Sequence, residues 1–316
     1  MKNSLVTILI PTYNRAEFLR EAIQSAVTQT HRELEILILD DASPDDTTSV
    51  AAEFADDPRV IYIRHPNNLG IAGNWRAGIE RVRGEFFCLL HDDDTFEPTF
   101  VESLLQPLRS DPNVILAFCD QWMMGTDGSR NVAESEALQK RFRRNRLSAG
   151  ILPDFAVSAL VNSSIPVGAS LFRTAMIELA FIAEQAKGSI DSWLFYRCVG
   201  TGRSAHYLPE RLMNYRTHSG GMSSSMPIYM AEGHLFRYRT ILNDASLTRI
   251  HPQVKVLMAE TLTAHGIILL VTGKRATARH SLTESLRLTF SFRAALAFLL
   301  SCGGRVGTQF ALAVRR

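Results

Sequence analysis

Predominantly apolar runs alternate with helix-period segments through the first 120 residues. The runs are Val6–Ile10, Leu34–Leu39, Val60–Ile63, Phe86–Leu90 and Val114–Phe118. They recur at intervals of roughly 25–30 residues, the spacing of βα units in a mostly parallel sheet. Their successive, not alternate, apolar positions predict strands covered on both faces. Between them, Asn14 is positioned to cap a helix, with Glu17 as its capping-box partner. Phe18, Leu19, Ala22, Ile23, Ala26 and Val27 then fall on one helical face. Ser43 followed by Pro44 predicts a second helix start, and Asp45 and Asp46 stand where a positive helix end favours carboxylates. Residues Gln121–Gly150 are polar and weakly periodic, which predicts a long loop or an irregular excursion. Ser219–Pro227 (SGGMSSSMP) predicts a Gly/Ser-rich loop. Helical periodicity then covers Tyr229–Asn243, Pro252–Val271, Ala276–Phe290 and Phe292–Leu300. The expected organisation is an α/β domain over 1–225 and a helical extension over 226–316.

The chain has 316 residues, enough for one large α/β domain and a smaller appendage. Its 46% hydrophobic and 21% charged residues are those of a globular protein, which argues against disorder. The net charge of +2 is unevenly spread: Lys274–Arg316 holds eight basic residues against one acid, Glu284, so a +7 tail follows a −5 body. The tail interleaves its arginines with Leu282, Leu286, Phe290, Phe292, Leu296, Phe298 and Leu299, a pattern that suits either an anionic membrane surface or ordinary helix packing. Cys88, Cys119, Cys198 and Cys302 form no CxxC pair, so neither a zinc site nor a disulfide framework is expected, and a reducing cytoplasm is the expected setting. No charged n-region precedes a long apolar stretch at the N-terminus, so no signal peptide is expected. The longest uninterrupted apolar candidate, Ala294–Leu300, is short of the roughly 18–20 residues a spanning helix needs. No nucleic-acid recognition module accompanies the basic run Lys140–Arg146, which is read either as a solvated face or as a diphosphate contact.

Acidic residues gather where strands should end: Asp40 and Asp41 after the second run, Asp92, Asp93 and Asp94 after the fourth. In an open parallel sheet such ends face one crevice, where ligands bind. Five carboxylates there need a counter-charge. A divalent cation, Mn²⁺ or Mg²⁺, would supply it and in turn hold a phosphate-bearing ligand. The competing reading makes Asp40 or Asp41 a turn residue ahead of a helix.

The ordered motifs Val6–Arg15 (VTILIPTYNR), Leu39–Thr47 (LDDASPDDT), Asn67-Asn68-Leu69-Gly70, and Gly84-Glu85-Phe86 running into His91-Asp92-Asp93-Asp94 resemble the family 2 glycosyltransferases. The resemblance implies a GT-A-like fold and inverting transfer of a sugar from a UDP- or dTDP-sugar to an acceptor hydroxyl. A saccharide or lipid-linked saccharide in bacterial surface-polysaccharide synthesis is the implied acceptor. It implies donor contacts at Pro11, Tyr13, Arg15, Asp41, Asn68, Arg76, Asp92 and Arg216, and metal ligation at Asp93, Asp94 and His218. Tyr13 offers a π face to a pyrimidine, and Asp41 an acceptor for its imide N–H. Asp191, in Ile-Asp-Ser-Trp-Leu, stands at the family's general base, and Val167–Ser170 at its acceptor-side turn. Two positions depart from the family pattern: His91 stands where an aspartate is frequent, and Trp75 where an arginine is usual. The expected location is cytoplasmic, with the C-terminal helices able to reach the inner membrane face.

Two other classes remain open on sequence grounds. A haloacid-dehalogenase-type phosphohydrolase needs Asp-x-Asp-x-Thr, and here Thr95 comes one position early. A non-catalytic nucleotide-sugar binder would keep the binding residues and be indifferent to Asp191→Asn. A dinucleotide-binding dehydrogenase is disfavoured, because the first strand runs into Pro-Thr-Tyr-Asn with no Gly-rich turn.

Overall fold

A computed structural model describes residues 4–175, 184–218 and 227–303. The expected loop at Ser219–Pro227 lies outside the described residues apart from Pro227, which opens a helix. The strands are β1 (Val6–Thr12), β2 (Leu34–Asp40), β3 (Val60–Arg64), β4 (Phe86–Leu89), β5 (Thr95–Phe96), β6 (Val114–Met124), β7 (Arg130–Asn131), β8 (Gly150–Ile151), β9 (Ser170–Arg173) and β10 (Ser204–Arg216). The α-helices are α1 (Ala16–Val27), α2 (Thr47–Ala52), α3 (Gly70–Ile79), α4 (Phe100–Ser110), α5 (Val132–Arg141), α6 (Ile190–Gly200), α7 (Pro227–Asn243), α8 (His251–Val271), α9 (Arg275–Leu288) and α10 (Phe292–Cys302).

The chain divides into two compact units. One comprises Met1–Ile182 and Leu194–Gly221; the other comprises Ala183–Trp193 and Met222–Arg316.

The first unit is built on one sheet of order β3-β2-β1-β4-β9-β6-β10-β5. Strands β1 to β4 are mutually parallel, and β6 runs parallel to β10. The short β9 lies antiparallel between β4 and β6, so the sheet is mixed. Every residue of β2 and β4 is buried, as two-sided coverage of the apolar runs requires. The main core joins the sheet to α1 and α4 through Ile8, Ile10, Leu19, Ile23, Ile36, Phe100, Leu104 and Ala117.

Glu35 is the one charged residue inside a run. It is buried but satisfied, by Thr7 Oγ1 at 2.9 Å, the Arg83 backbone N–H at 3.2 Å and the Arg83 guanidinium. Gly84 is fixed by the same corner. A Cβ there would stand 2.6 Å from the Phe86 carbonyl and 2.7 Å from the Thr7 nitrogen, a clash with backbone that cannot step aside.

Residues 121–150, expected as a loop, are largely structured. Strand β6 continues to Met124, β7 pairs back on it, and α5 follows, its Asn131 side chain accepting the Glu134 N–H at 3.1 Å. Within the basic run, Arg144 is only 2% exposed. Its Nε donates to Asp120 Oδ1 at 2.7 Å, while Lys140, Arg141, Arg143 and Arg146 remain exposed. The solvated-face reading therefore holds for four of the five cations and fails for the fifth.

In the second unit, α7, α8, α9 and α10 replace the four predicted helices with small shifts at their ends. Gly233 on α7 allows a close crossing: a Cβ would meet the Ala186 carbonyl at 2.2 Å. The stretch Ala245–Val271, which includes α8, is the one among the described residues long and apolar enough to cross a membrane by length and composition. Lys255 and Glu260 hide it from a search for uninterrupted runs. Because 56% of its apolar window is buried within the protein, we read it as the central helix of the unit.

Candidate active site

The ends of β1, β2 and β4 are adjacent and parallel, so the residues that follow them share one rim of the sheet. At the end of β1 the chain turns sharply. Asn14 takes a left-handed conformation (φ 55°) and gives its N–H to Ser43 Oγ at 3.0 Å. Asp45 Oδ2 then accepts the Ala16 N–H at 2.9 Å, at the first turn of α1. Neither sequence-predicted cap is therefore a local one. The Asn14 side chain caps nothing, and Ser43 and Asp45, carried by the loop after β2, serve the turn and helix that follow β1. Asp45 also accepts the Thr47 N–H at 3.2 Å at the start of α2. The two loops are thus tied into one surface.

The acidic stretch after β4 divides its carboxylates among three tasks. Asp92 is 5% exposed; it accepts the Tyr13 N–H at 3.3 Å and Arg15 Nη1 at 3.2 Å. Arg15 also binds Asp93, whose Oδ2 lies 3.0 Å from His218 Nε2. Asp94, 1% exposed, accepts the Arg216 N–H at 2.9 Å on one oxygen and faces His91 Nδ1 at 3.2 Å on the other. Burial pushes the Asp92 carboxyl up to about 6 against the opposing pull of Arg15. Burial likewise raises Asp94, against its bond to His91. For His91 burial acts downward, but the Asp94 bond and the charges of Asp94, Asp93 and Asp92 outweigh it and hold the imidazole up at about 9. Within the protein the acidic stretch is thus met by His91 and by the Arg15 guanidinium. Trp75 is buried and stacks on the His91 ring with centroids 6.0 Å apart.

The remaining expected donor contacts are distributed unevenly. Tyr13 is 48% exposed, its ring open to a ligand. Asp41 uses one oxygen, at 2.6 Å, to accept the Leu69 N–H. Asn68 Oδ1 accepts the Gly70 N–H at 3.0 Å, where Gly70 adopts φ 70°. Pro11 sits on β1 opposite Leu39 of β2, and Arg76 is partly buried on α3. Asp41 is 3% exposed and Asp40 is fully buried. Asp40 accepts the Ser43 N–H at 2.8 Å, Tyr62 Oη at 2.6 Å and Arg64 Nη1 at 2.8 Å. Arg216, expected to pair with phosphate, has a fully buried side chain. Its guanidinium bonds the carbonyls of Asp93 at 2.8 Å, Gly125 at 3.3 Å and Thr126 at 3.1 Å, and also binds Glu21. The geometry makes it a clamp on the acidic loop, with no face left for phosphate. Gly168 comes close to the cluster: a Cβ there would stand 3.4 Å from His91 Nδ1.

Among the described residues, no group of three or more His, Cys, Asp or Glu side chains is arranged to hold a metal ion. Asp94 has both oxygens engaged. That leaves Asp93 and His218, already within 3.0 Å of each other, as the pair able to turn toward a cation. Mg²⁺ is commonly held by one or two protein groups plus substrate phosphates and water. Mn²⁺ tolerates imidazole as well as carboxylate. The pair fits that pattern.

Asp191 belongs to the second unit, in the first turn of α6. It is partly buried, and its Oδ1 accepts the Ser192 N–H at 2.6 Å. In the same unit His234 accepts or donates at 2.8 Å to Ser189 Oγ. Burial, and then Arg237, push that imidazole down to about 4, with Asp191 acting in the other direction.

A mixed α/β sheet with an aromatic side chain and an acidic loop on one rim is the arrangement of a GT-A-like glycosyltransferase. The family model described as Glycosyl transferase family 2 matches residues 7–163, about half the chain. The chain belongs to this family. An uncharacterized glycosyltransferase of Rickettsia prowazekii (strain Madrid E), RP339, is 29% identical over 150 residues, covering 47% of this chain. The chain spans only 46% of that relative's length. Among solved structures, S. aureus TarS 1-349 in complex with UDP-GlcNAc matches 98% of this chain and 90% of its own, with TM-score 0.66 and 16% identity. The mannosyltransferase PcManGT from Pyrobaculum calidifontis, in complex with GDP-Man and Mn²⁺, matches 98% and 84%, with TM-score 0.60 and 19% identity.

Proposed function

We propose that this chain transfers a sugar from a nucleotide-diphosphate donor, a UDP- or dTDP-sugar, to the hydroxyl of a saccharide or lipid-linked saccharide, with inversion at the anomeric carbon. The observation that carries the reading is the convergence of Arg15, Asp92, Asp93 and His218 on one spot beside the exposed ring of Tyr13. Tyr13 stacks on the base and the second oxygen of Asp41 accepts its imide N–H. Asp92, steered by Arg15 and the Tyr13 N–H, faces the ribose. Asp93 and His218 would hold Mn²⁺ or Mg²⁺, which when bound would neutralise charge on the departing diphosphate. Arg15, which binds Asp92 and Asp93 at this rim, would also reach a phosphate oxygen of the donor. Asp191 takes the proton of the attacking hydroxyl, because a sugar hydroxyl is a poor nucleophile until that proton leaves. The two related structures support the donor class: TarS was captured with UDP-GlcNAc, and PcManGT with GDP-Man and Mn²⁺.

A thermal-shift screen of UDP-, dTDP- and GDP-sugars with and without Mn²⁺ tests the donor assignment, since a ligand of the native state raises its stability. A uracil or thymine nucleotide sugar should stabilise the chain most, and more so with metal. In a transfer assay with that donor, Asp191→Asn should abolish turnover while keeping the thermal shift. Asp93→Ala should lose the metal-dependent part of the shift. Turnover retained in Asp191→Asn would remove the base assignment, and a donor-binding chain with no turnover under any acceptor would make it a binder. Phosphate release from simple phosphoesters would favour the phosphohydrolase instead.

A further inference from the structure

The second unit presents a surface that the transfer reaction leaves unused. In α10 the fully buried residues are the small Ala294, Ala297 and Ser301, and Phe298 and Leu300 pack partly against the neighbouring helices. Three other large apolar residues face outward. Phe292 is 84% exposed, Leu296 47% and Leu299 66%, at positions one and two turns apart on the same face. Phe290, 67% exposed, meets Phe292 edge-on at 5.3 Å. A water-facing helix ordinarily has the reverse pattern, with large apolar residues inward. Taking about 200 Å² as the full area of such a side chain, the four expose on the order of 500 Å². That is as large as the largest apolar patch on most monomers.

Positive charge gathers on α9, the helix packed against α10. Arg239, Arg279, His280, Thr283, Glu284 and Arg287 line an open depression of about 490 Å³ between α7 and α9. Glu284, its one acid, is 2.8 Å from Arg239. Arg279 and Arg287 are exposed, and Arg287 stands three residues before Phe290. Arg293, also exposed, directly follows Phe292.

We propose that the α9–α10 corner is a membrane-binding surface for anionic phospholipid: Phe290, Phe292, Leu296 and Leu299 enter the acyl boundary, while Arg279, Arg287 and Arg293 engage headgroup phosphates. Charge and size select this occupant. A second copy would bring the same patch against itself, arginines against arginines, in a two-fold contact. Its area also falls short of the roughly 800 Å² per partner of a stable interface. Arginines that flank exposed phenylalanine and leucine reach phosphate while their stems stay with the apolar layer.

The test is flotation of the full chain with vesicles of phosphatidylcholine alone or mixed with phosphatidylglycerol. The chain should float with the mixed vesicles and stay behind with the neutral ones, and added salt should release it. The combined change of Phe290, Phe292, Leu296 and Leu299 to Ser should abolish flotation, and each of Arg279→Gln, Arg287→Gln and Arg293→Gln should weaken it roughly fivefold. Both sets should keep the wild-type melting temperature and the donor-induced thermal shift, which shows that they still fold. Equal flotation with both vesicle types, or flotation unchanged by the serine substitutions, overturns the proposal. So does a dimer in light scattering that the serine substitutions convert to a monomer.

Discussion

Arg144→Met separates structure from ligand binding in the basic run. Arg144 and Asp120 are 2% and 3% exposed at their side chains, with Nε and Oδ1 2.7 Å apart. The other Asp120 oxygen accepts Tyr207 Oη at 2.6 Å and Gln139 Nε2 at 2.7 Å. Burial, and then Asp120, push the Tyr207 hydroxyl upward, so it remains a donor at any ordinary pH. Methionine keeps most of the volume of Arg144 but removes the cation, leaving a buried carboxylate with two neutral donors. Removing one partner of such a pair costs about 3–5 kcal/mol. For a unit of this size that is a fall in melting temperature of roughly 6–20 °C. Asp120→Leu alone should cost a similar amount by stranding the guanidinium. The double variant should lose less than the sum of the two, because it strands neither charge, although Tyr207 Oη and Gln139 still lose their acceptor. Urea titration of the four proteins measures the coupling. Single variants within about 0.5 kcal/mol of wild type, as at a plain surface site, or strictly additive losses, would refute the reasoning and return Arg144 to the solvated face.

Arg216→Ala should lower stability by about 2–4 kcal/mol through its orphaned carbonyls and Glu21. Arg216→Lys should rescue little of it, since a point charge cannot serve four acceptors in a plane; a raised KM for donor at unchanged stability would contradict the clamp. Gly84→Ala should cost about 1–3 kcal/mol by overpacking against fixed backbone, read by the same urea titration. His91 carries a pH signature. Its folded value of about 9 lies above its ordinary 6.5, so its stabilisation is complete below pH 6.5 and disappears as pH rises toward 9. The gap in melting temperature between wild type and His91→Asn should close over that interval, and a gap that widens with pH would reverse the assigned sign.

The parts of the fold written in local pattern could be read directly. Five apolar runs gave five strands; four are buried on both faces, as such runs require, while β3, at the sheet edge, is only partly covered. The family motifs located the rim that carries Tyr13, Asp41 and the acidic stretch. Strand β9 escaped because four residues, Ser170–Arg173, carry too little periodicity, and its place is fixed by β4 and β6 on either side. Strand β10 escaped because it exposes several residues along its length. Asn14 and Ser43 looked like caps of the helices next to them in sequence. Their partners proved to be across a loop, which no local rule can reach. Asp40 and Asp41 are indistinguishable as letters, yet Tyr62 and Arg64 of β3 bind the first, while the second, also buried, accepts the Leu69 N–H. Arg144 and Arg216 show the same gap: the sequence gives a cation, and only the packing says whether water can reach it.

The stacking of Trp75 on His91 bears on how this chain could have diverged from its relatives. These are the two positions where it leaves the family pattern, and they touch. Trp75→Arg alone would set a guanidinium against an imidazolium, and His91→Asp alone would extend three adjacent carboxylates to four. Made together, the two exchanges bring opposite charges side by side. A double-mutant cycle of Trp75→Arg and His91→Asp on melting temperature should therefore register a favourable coupling.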